Sequence, residues 1–116
     1  MAELDKRRAI IAARLRTARE QAGLSQGQVA KKLNLHRPSI SEAEAGRRQV
    51  TAAELAELSR LYGVGVSWLA GGDAESVDPE RDRIELAARE LKKLKPDDLD
   101  RLMNLIAALK NRSEEG

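Results

Sequence analysis

Apolar residues recur along most of this chain at three- and four-residue intervals, and no segment alternates for long enough to predict a strand. A first helix is expected over residues 8–22, where Ile11, Leu15, Ala18 and Ala22 share a face before Gly23 stops it. Ser25 followed by Gln28 is a capping-box pattern, opening a second helix whose inward face is Val29, Ala30 and Leu33. A tight turn from Asn34 leads to a third helix over 37–44, with Ile40 and Ala43 facing the core and Gly46 ending it. Thr51 and Glu54 repeat the capping-box pattern before Leu55, Leu58 and Leu61. Tyr62-Gly63 closes that fourth helix, and Ser67-Trp68-Leu69 begins a short fifth one.

Gly71-Gly72-Asp73 then breaks the pattern, and a boundary is expected at residues 71–78. Beyond it, Asp78 can cap a helix that has Pro79 in its first turn. Ile84, Ala87, Ala88, Leu91 and Leu94 form its apolar stripe. Lys95-Pro96 interrupts, and Asp97 and Asp98 favour the positive end of a last helix carrying Leu99, Leu102, Met103, Ile106 and Leu109. The expectation is an all-α chain: a five-helix domain over 8–72, then a two-helix hairpin over 78–112. So small a hairpin covers one face at most, and a second copy of the chain is the expected cover for Leu91, Leu94, Leu99, Leu102, Met103, Ile106 and Leu109.

Composition narrows the chemistry. The 116 residues contain no cysteine and one histidine, His36, so thiol catalysis and thiolate metal sites are excluded, and no metal or other cofactor is expected. No glycine-rich phosphate loop or partnered histidine is present, and the clustered Asp97, Asp98 and Asp100 are explained by a helix start, so an enzyme is not expected. The apolar runs are far shorter than the roughly 20 residues of a membrane span, and the charged start MAELDKRRA is unlike a signal peptide. A cytoplasmic protein without a membrane partner is expected. Its net charge of +2 is uneven: residues 1–72 carry twelve Lys/Arg against seven Asp/Glu, and residues 73–116 nine against twelve. A basic front and an acidic back suit a polyanion met by the first part alone.

The second and third helices have the length and spacing of a helix-turn-helix. Gln26 and Gln28 open the second, Arg37, Ser39 and Ser41 populate the outer side of the third, and Arg47-Arg48 follow it. With Gly-Leu-Ser-Gln at 23–26, Ala30, Ile40-Ser41, Glu44-x-Gly46 and Leu-Tyr-Gly-Val at 61–64, residues 10–72 resemble the lambda-repressor-like, Cro-type helix-turn-helix proteins, also called the xenobiotic-response-element family. The resemblance implies a five-helix DNA-binding domain that binds operators as a dimer. It implies an internal ion pair between Arg19 and Glu44, and a Gln26 that meets the operator backbone and an outer base. Base-edge candidates on the third helix are Arg37, Pro38, Ser41 and Glu42, with Arg37 suited to guanine and Glu42 to the cytosine amine. Backbone candidates are Gln28, Ser39, Arg47, Arg48, Arg14 and Arg16. Lys6, Arg7 and Arg8 would form a charged arm with no fixed path.

Three residues depart from the family pattern. Pro38 replaces a polar residue, Glu42 places a negative charge where a basic or amide residue is usual, and His36 replaces Ser or Thr as a capping or phosphate-facing side chain. The function expected is a sequence-specific regulator of transcription, a repressor that occupies duplex DNA as a homodimer. The alternative is an antitoxin or protein-binding module whose C-terminal helices engage a partner protein.

Overall fold

Two capping boxes foreseen from local sequence open helices in the computed structural model, which describes residues 2–115. Ser25 Oγ accepts from the Gln28 amide at 3.0 Å while Gln28 Oε1 accepts from the Ser25 amide at 2.8 Å. Thr51 and Glu54 do the same at 3.1 and 3.0 Å. Each box satisfies two amides that the first turn of a helix leaves without partners.

Among the described residues the chain is all-α, with seven helices: α1 (Ala2–Gln21), α2 (Gln26–Lys32), α3 (Arg37–Glu44), α4 (Ala52–Tyr62), α5 (Val66–Leu69), α6 (Pro79–Lys93) and α7 (Pro96–Glu115). It divides into two compact units, Met1–Leu86 and Ala87–Gly116.

In the first unit, Leu15 and Ala18 of α1, Val29 and Ala30 of α2, and Ile40 and Ala43 of α3 form one buried cluster with Leu58, Tyr62 and Leu69. Leu24, Leu35, Leu55 and Trp68 pack around it. Because Phe is absent, the core is mostly branched aliphatic and alanine side chains, which lets short helices approach closely. The turn between α2 and α3 closes at Asn34, which adopts φ 57°, a left-handed conformation that Asn tolerates better than most residues. The Asn34 amide donates to the Lys31 carbonyl at 3.2 Å, and the Leu35 amide to the Ala30 carbonyl at 2.7 Å.

Three local expectations need correction. Helix α1 begins at Ala2 rather than near residue 8, so Lys6, Arg7 and Arg8 are helical and do not form a wandering arm. Glu3 and Asp5 in its first turn suit the helix dipole, and Arg7 Nη1 donates to the Ala74 carbonyl at 3.2 Å. That side chain lies across Gly71, where a Cβ would come within 2.7 Å of Arg7 Nη1. Near the start of α6, the residues turned into the first unit are Asp82 and Leu86, whereas Ile84 is exposed. The aliphatic stripe assigned to α6 therefore misses the helix face that is buried. Finally, His36 precedes α3 with extended backbone, but of its two expected roles the capping one is not seen, since its side chain makes no capping bond.

In the second unit, Leu91, Leu99 and Leu102 are partly covered. Leu94, Met103, Leu105, Ile106 and Leu109 are exposed, at 39–55% of their full area.

Candidate nucleic-acid interface

Helix α3 is divided lengthwise by burial. Ile40 and Ala43 anchor it in the core, Arg37 and Pro38 are exposed, and Ser39, Ser41 and Glu42 lie at the margin. Pro38 sits in the first turn, where its missing N–H removes no helical bond. The Ser41 hydroxyl donates back to the Pro38 carbonyl at 3.1 Å. The outer face is consequently short and polar, apart from the ring of Pro38 and the reach of Arg37.

The inner end of α3 is fixed by charge. Arg19 Nε donates to Glu44 Oε2 at 2.6 Å and Arg19 Nη2 to Glu44 Oε1 at 2.9 Å. Arg19 Nη1 also donates to the Leu24 carbonyl at 2.9 Å, so one guanidinium ties α1 to the loop before α2 and to the last turn of α3. Its hydrogen bonds to the Glu44 carboxylate raise the Arg19 pKa above its ordinary value. Gln26 Nε2 donates to Glu44 Oε1 at 3.1 Å, placing this base-edge candidate on the same carboxylate as Arg19. Gln28, exposed at the start of α2, spends its side-chain oxygen on the capping box.

Two arginines follow α3 and differ in role. Arg48 Nε donates to the Ser39 carbonyl at 3.1 Å and its Nη1 to Glu54 Oε1 at 3.0 Å. It thereby braces α3 against the start of α4, and its hydrogen bond holds the Glu54 carboxyl below the usual glutamate range. Arg47 is exposed and makes a two-point pair with Glu42, Nε to Oε2 at 2.8 Å and Nη2 to Oε1 at 3.2 Å. That pairing lowers the Glu42 pKa. Sequence spacing did not reveal it, because the two residues meet only after the chain reverses at Gly46, whose φ of 76° favours glycine.

The α1 candidates separate as well. Arg16 is exposed and lies 3.4 Å from Glu20. Arg14, expected at the DNA backbone, is instead buried, at 5% exposure. Its guanidinium stacks 4.5 Å from the Trp68 ring centre, and Nη1 donates to the Trp68 carbonyl at 2.7 Å. Arg14 Nε lies 3.3 Å from the buried Asp82 but lacks a hydrogen-bond partner. A guanidinium enclosed by an indole and a carboxyl cannot also reach a phosphate. Burial raises the Asp82 pKa, with Arg14 opposing the shift. Beside it, Trp68 Nε1 donates to Glu85 Oε2 at 2.8 Å and lowers the Glu85 pKa.

No group of three or more His, Cys, Asp or Glu residues among the described residues is placed to hold a metal ion. No helix among them is long and apolar enough to cross a membrane.

Comparison with known proteins agrees with this geometry. A family model described as a helix-turn-helix domain matches residues 10–69. The HTH-type transcriptional regulator ImmR of Bacillus subtilis (strain 168) is 35% identical over 92 residues, covering 78% of this chain and 72% of that protein. No solved structure matches significantly. The family match encloses α2, the Asn34 turn and α3, together with the Arg19–Glu44 pair that fixes them. The chain belongs to the helix-turn-helix domain family.

Proposed function

We propose that this chain is a sequence-specific, double-stranded DNA-binding regulator of transcription, a Cro-type member of the lambda-repressor-like group that represses by occupying operator DNA as a homodimer in the cytoplasm. The observation that carries this is the division of α3, with Ile40 and Ala43 buried and Arg37 and Pro38 presented outward from a rigidly held helix. A helix so mounted suits a major groove, where Arg37 can meet guanine O6 and N7 and Pro38 a thymine methyl. Ser41, Glu42 and Gln26 stand at the edge of that surface, and Ser39, Arg47 and Arg16 flank it for the sugar-phosphate backbone. The similarity to a transcriptional regulator supports the same conclusion.

The five helices within residues 8–72 would form the DNA-binding domain, and residues 78–112 would supply the dimerisation element. Met103, Ile106 and Leu109 support that role, being exposed apolar residues on one helix. The same exposure favours a second reading, in which α7 engages a different protein, as in an antitoxin.

Selection of fragments from random duplex DNA, followed by footprinting and sedimentation, tests both. A protected two-fold site occupied by two copies is the expected result. A chain that binds no duplex at low salt and recovers a stoichiometric small protein instead would replace the regulator with the protein-binding module.

A further inference from the structure

The exposed Glu42–Arg47 pair joins a candidate reader of base edges to a candidate holder of phosphate. Backbone geometry brings the two together: the amides of Arg47 and Arg48 both donate to the Glu42 carbonyl, at 3.0 and 3.3 Å, as the chain turns back over the end of α3. The side chains remain accessible, Arg47 at 65% and Glu42 at 42% exposure. The neighbouring arginines are engaged elsewhere, Arg48 with Glu54 and Ser39, and Arg19 with Glu44.

We propose that Glu42 and Arg47 form a partner-exchange device, which keeps Arg47 from phosphate on unmatched duplex and releases it where Glu42 meets a cytosine amine. This rests on the DNA binding proposed above. In the closed pair the Nε–Nη2 edge of the guanidinium faces the carboxylate, so the pair presents no net charge to a phosphate and displaces no counterion. Opening it leaves a carboxylate among phosphates, which is unfavourable unless a donor replaces the guanidinium. In the major groove the cytosine N4 amine is that donor. Base recognition by Glu42 and phosphate contact by Arg47 are then gained together or not at all. A negative charge on the recognition helix thus becomes a determinant of specificity.

The test uses full-length protein with the duplex recovered by selection and a scrambled copy of it. Salt titrations compare the native sequence, Glu42→Gln, Arg47→Gln and the double variant, with thermal melts confirming that each is folded. On scrambled duplex, Glu42→Gln should tighten binding and steepen the salt dependence by about one unit, the contribution of one phosphate contact. Arg47→Gln should weaken binding there, because it leaves Glu42 unpaired among phosphates, and the double variant, neutral like the closed pair, should bind scrambled duplex as the native sequence does. On selected duplex, Arg47→Gln should reduce the salt dependence by about one unit. Glu42→Gln should lower the preference for selected over scrambled duplex by about tenfold.

An equal gain from Glu42→Gln with and without Arg47→Gln would mean simple repulsion by the carboxylate and would overturn the exchange alone. So would a double variant whose salt dependence falls below the native value by the same amount on both duplexes, because Arg47 would then hold phosphate on unmatched duplex as well. If the native sequence binds neither duplex at low salt, the DNA-binding function fails and the exchange falls with it.

Discussion

Arg19 and Glu44, 25 residues apart, are joined by two hydrogen bonds of 2.6 and 2.9 Å, with side-chain exposures of 12% and 5%. So little water reaches the pair that removing one member leaves the other as an uncompensated charge inside the domain. Its role is to set the position of α3, and through Gln26 the start of α2.

Glu44→Ala or Arg19→Ala should therefore destabilise the first unit by about 3–5 kcal/mol. Urea denaturation followed by circular dichroism measures this. A loss below about 0.5 kcal/mol would class the pair with solvated surface bridges.

Arg14 should behave as a core residue and not as a DNA contact. Arg14→Ala removes the cation beside buried Asp82 and should cost about 3–5 kcal/mol, and adding Asp82→Asn should restore part of that. Truncation carries the same signature: ending the chain at Leu86 keeps Asp82 and Leu86 in place, whereas ending it at residue 78 removes both and should lower the melting temperature of the shorter fragment. Identical melting temperatures for the two fragments would contradict this.

Trp68 is the only tryptophan, so its fluorescence reports its bond to Glu85. The indole hydrogen bond holds the Glu85 pKa below the usual glutamate value. The resulting stability is present above the unfolded glutamate pKa and is lost as pH falls through the lower folded one. Asp82 has the opposite sign: burial raises its pKa, so its contribution is present below the unfolded value and fades as pH rises through the folded one. An acid titration should thus change Trp68 emission below the ordinary glutamate range, and Glu85→Gln should remove that step. A titration unaltered by Glu85→Gln would assign the change to another group.

Arg37→Ala should cost about 1–3 kcal/mol on the selected duplex and relax preference at one base position. Arg48→Ala should act through folding, since it frees α3 from Glu54 and Ser39. Binding titrations alongside thermal melts separate the two. Equal losses on selected and scrambled duplex from Arg37→Ala would make it a phosphate contact.

The amino-acid sequence by itself determined the features governed by near neighbours. Ser25 with Gln28, and Thr51 with Glu54, act across three residues, and the structure closes both boxes. The Asn34 turn and the inward faces of α2 and α3 follow from the same short-range rules. The pairing of Arg19 with Glu44 was legible through the family resemblance, since spacing alone does not join residues so far apart. Tertiary structure decided the rest. Arg14 looks like any surface arginine until Trp68, 54 residues later, covers it. Ile84 is the more apolar residue, yet Asp82 and Leu86 occupy the buried face, because Arg14 supplies a charge that only a carboxyl can meet. Glu42 and Arg47 likewise read as two independent contacts until the reversal at Gly46 brings their side chains together. Periodicity ranks residues by their own hydrophobicity, whereas burial of a charge depends on the partner that the folded chain delivers to it.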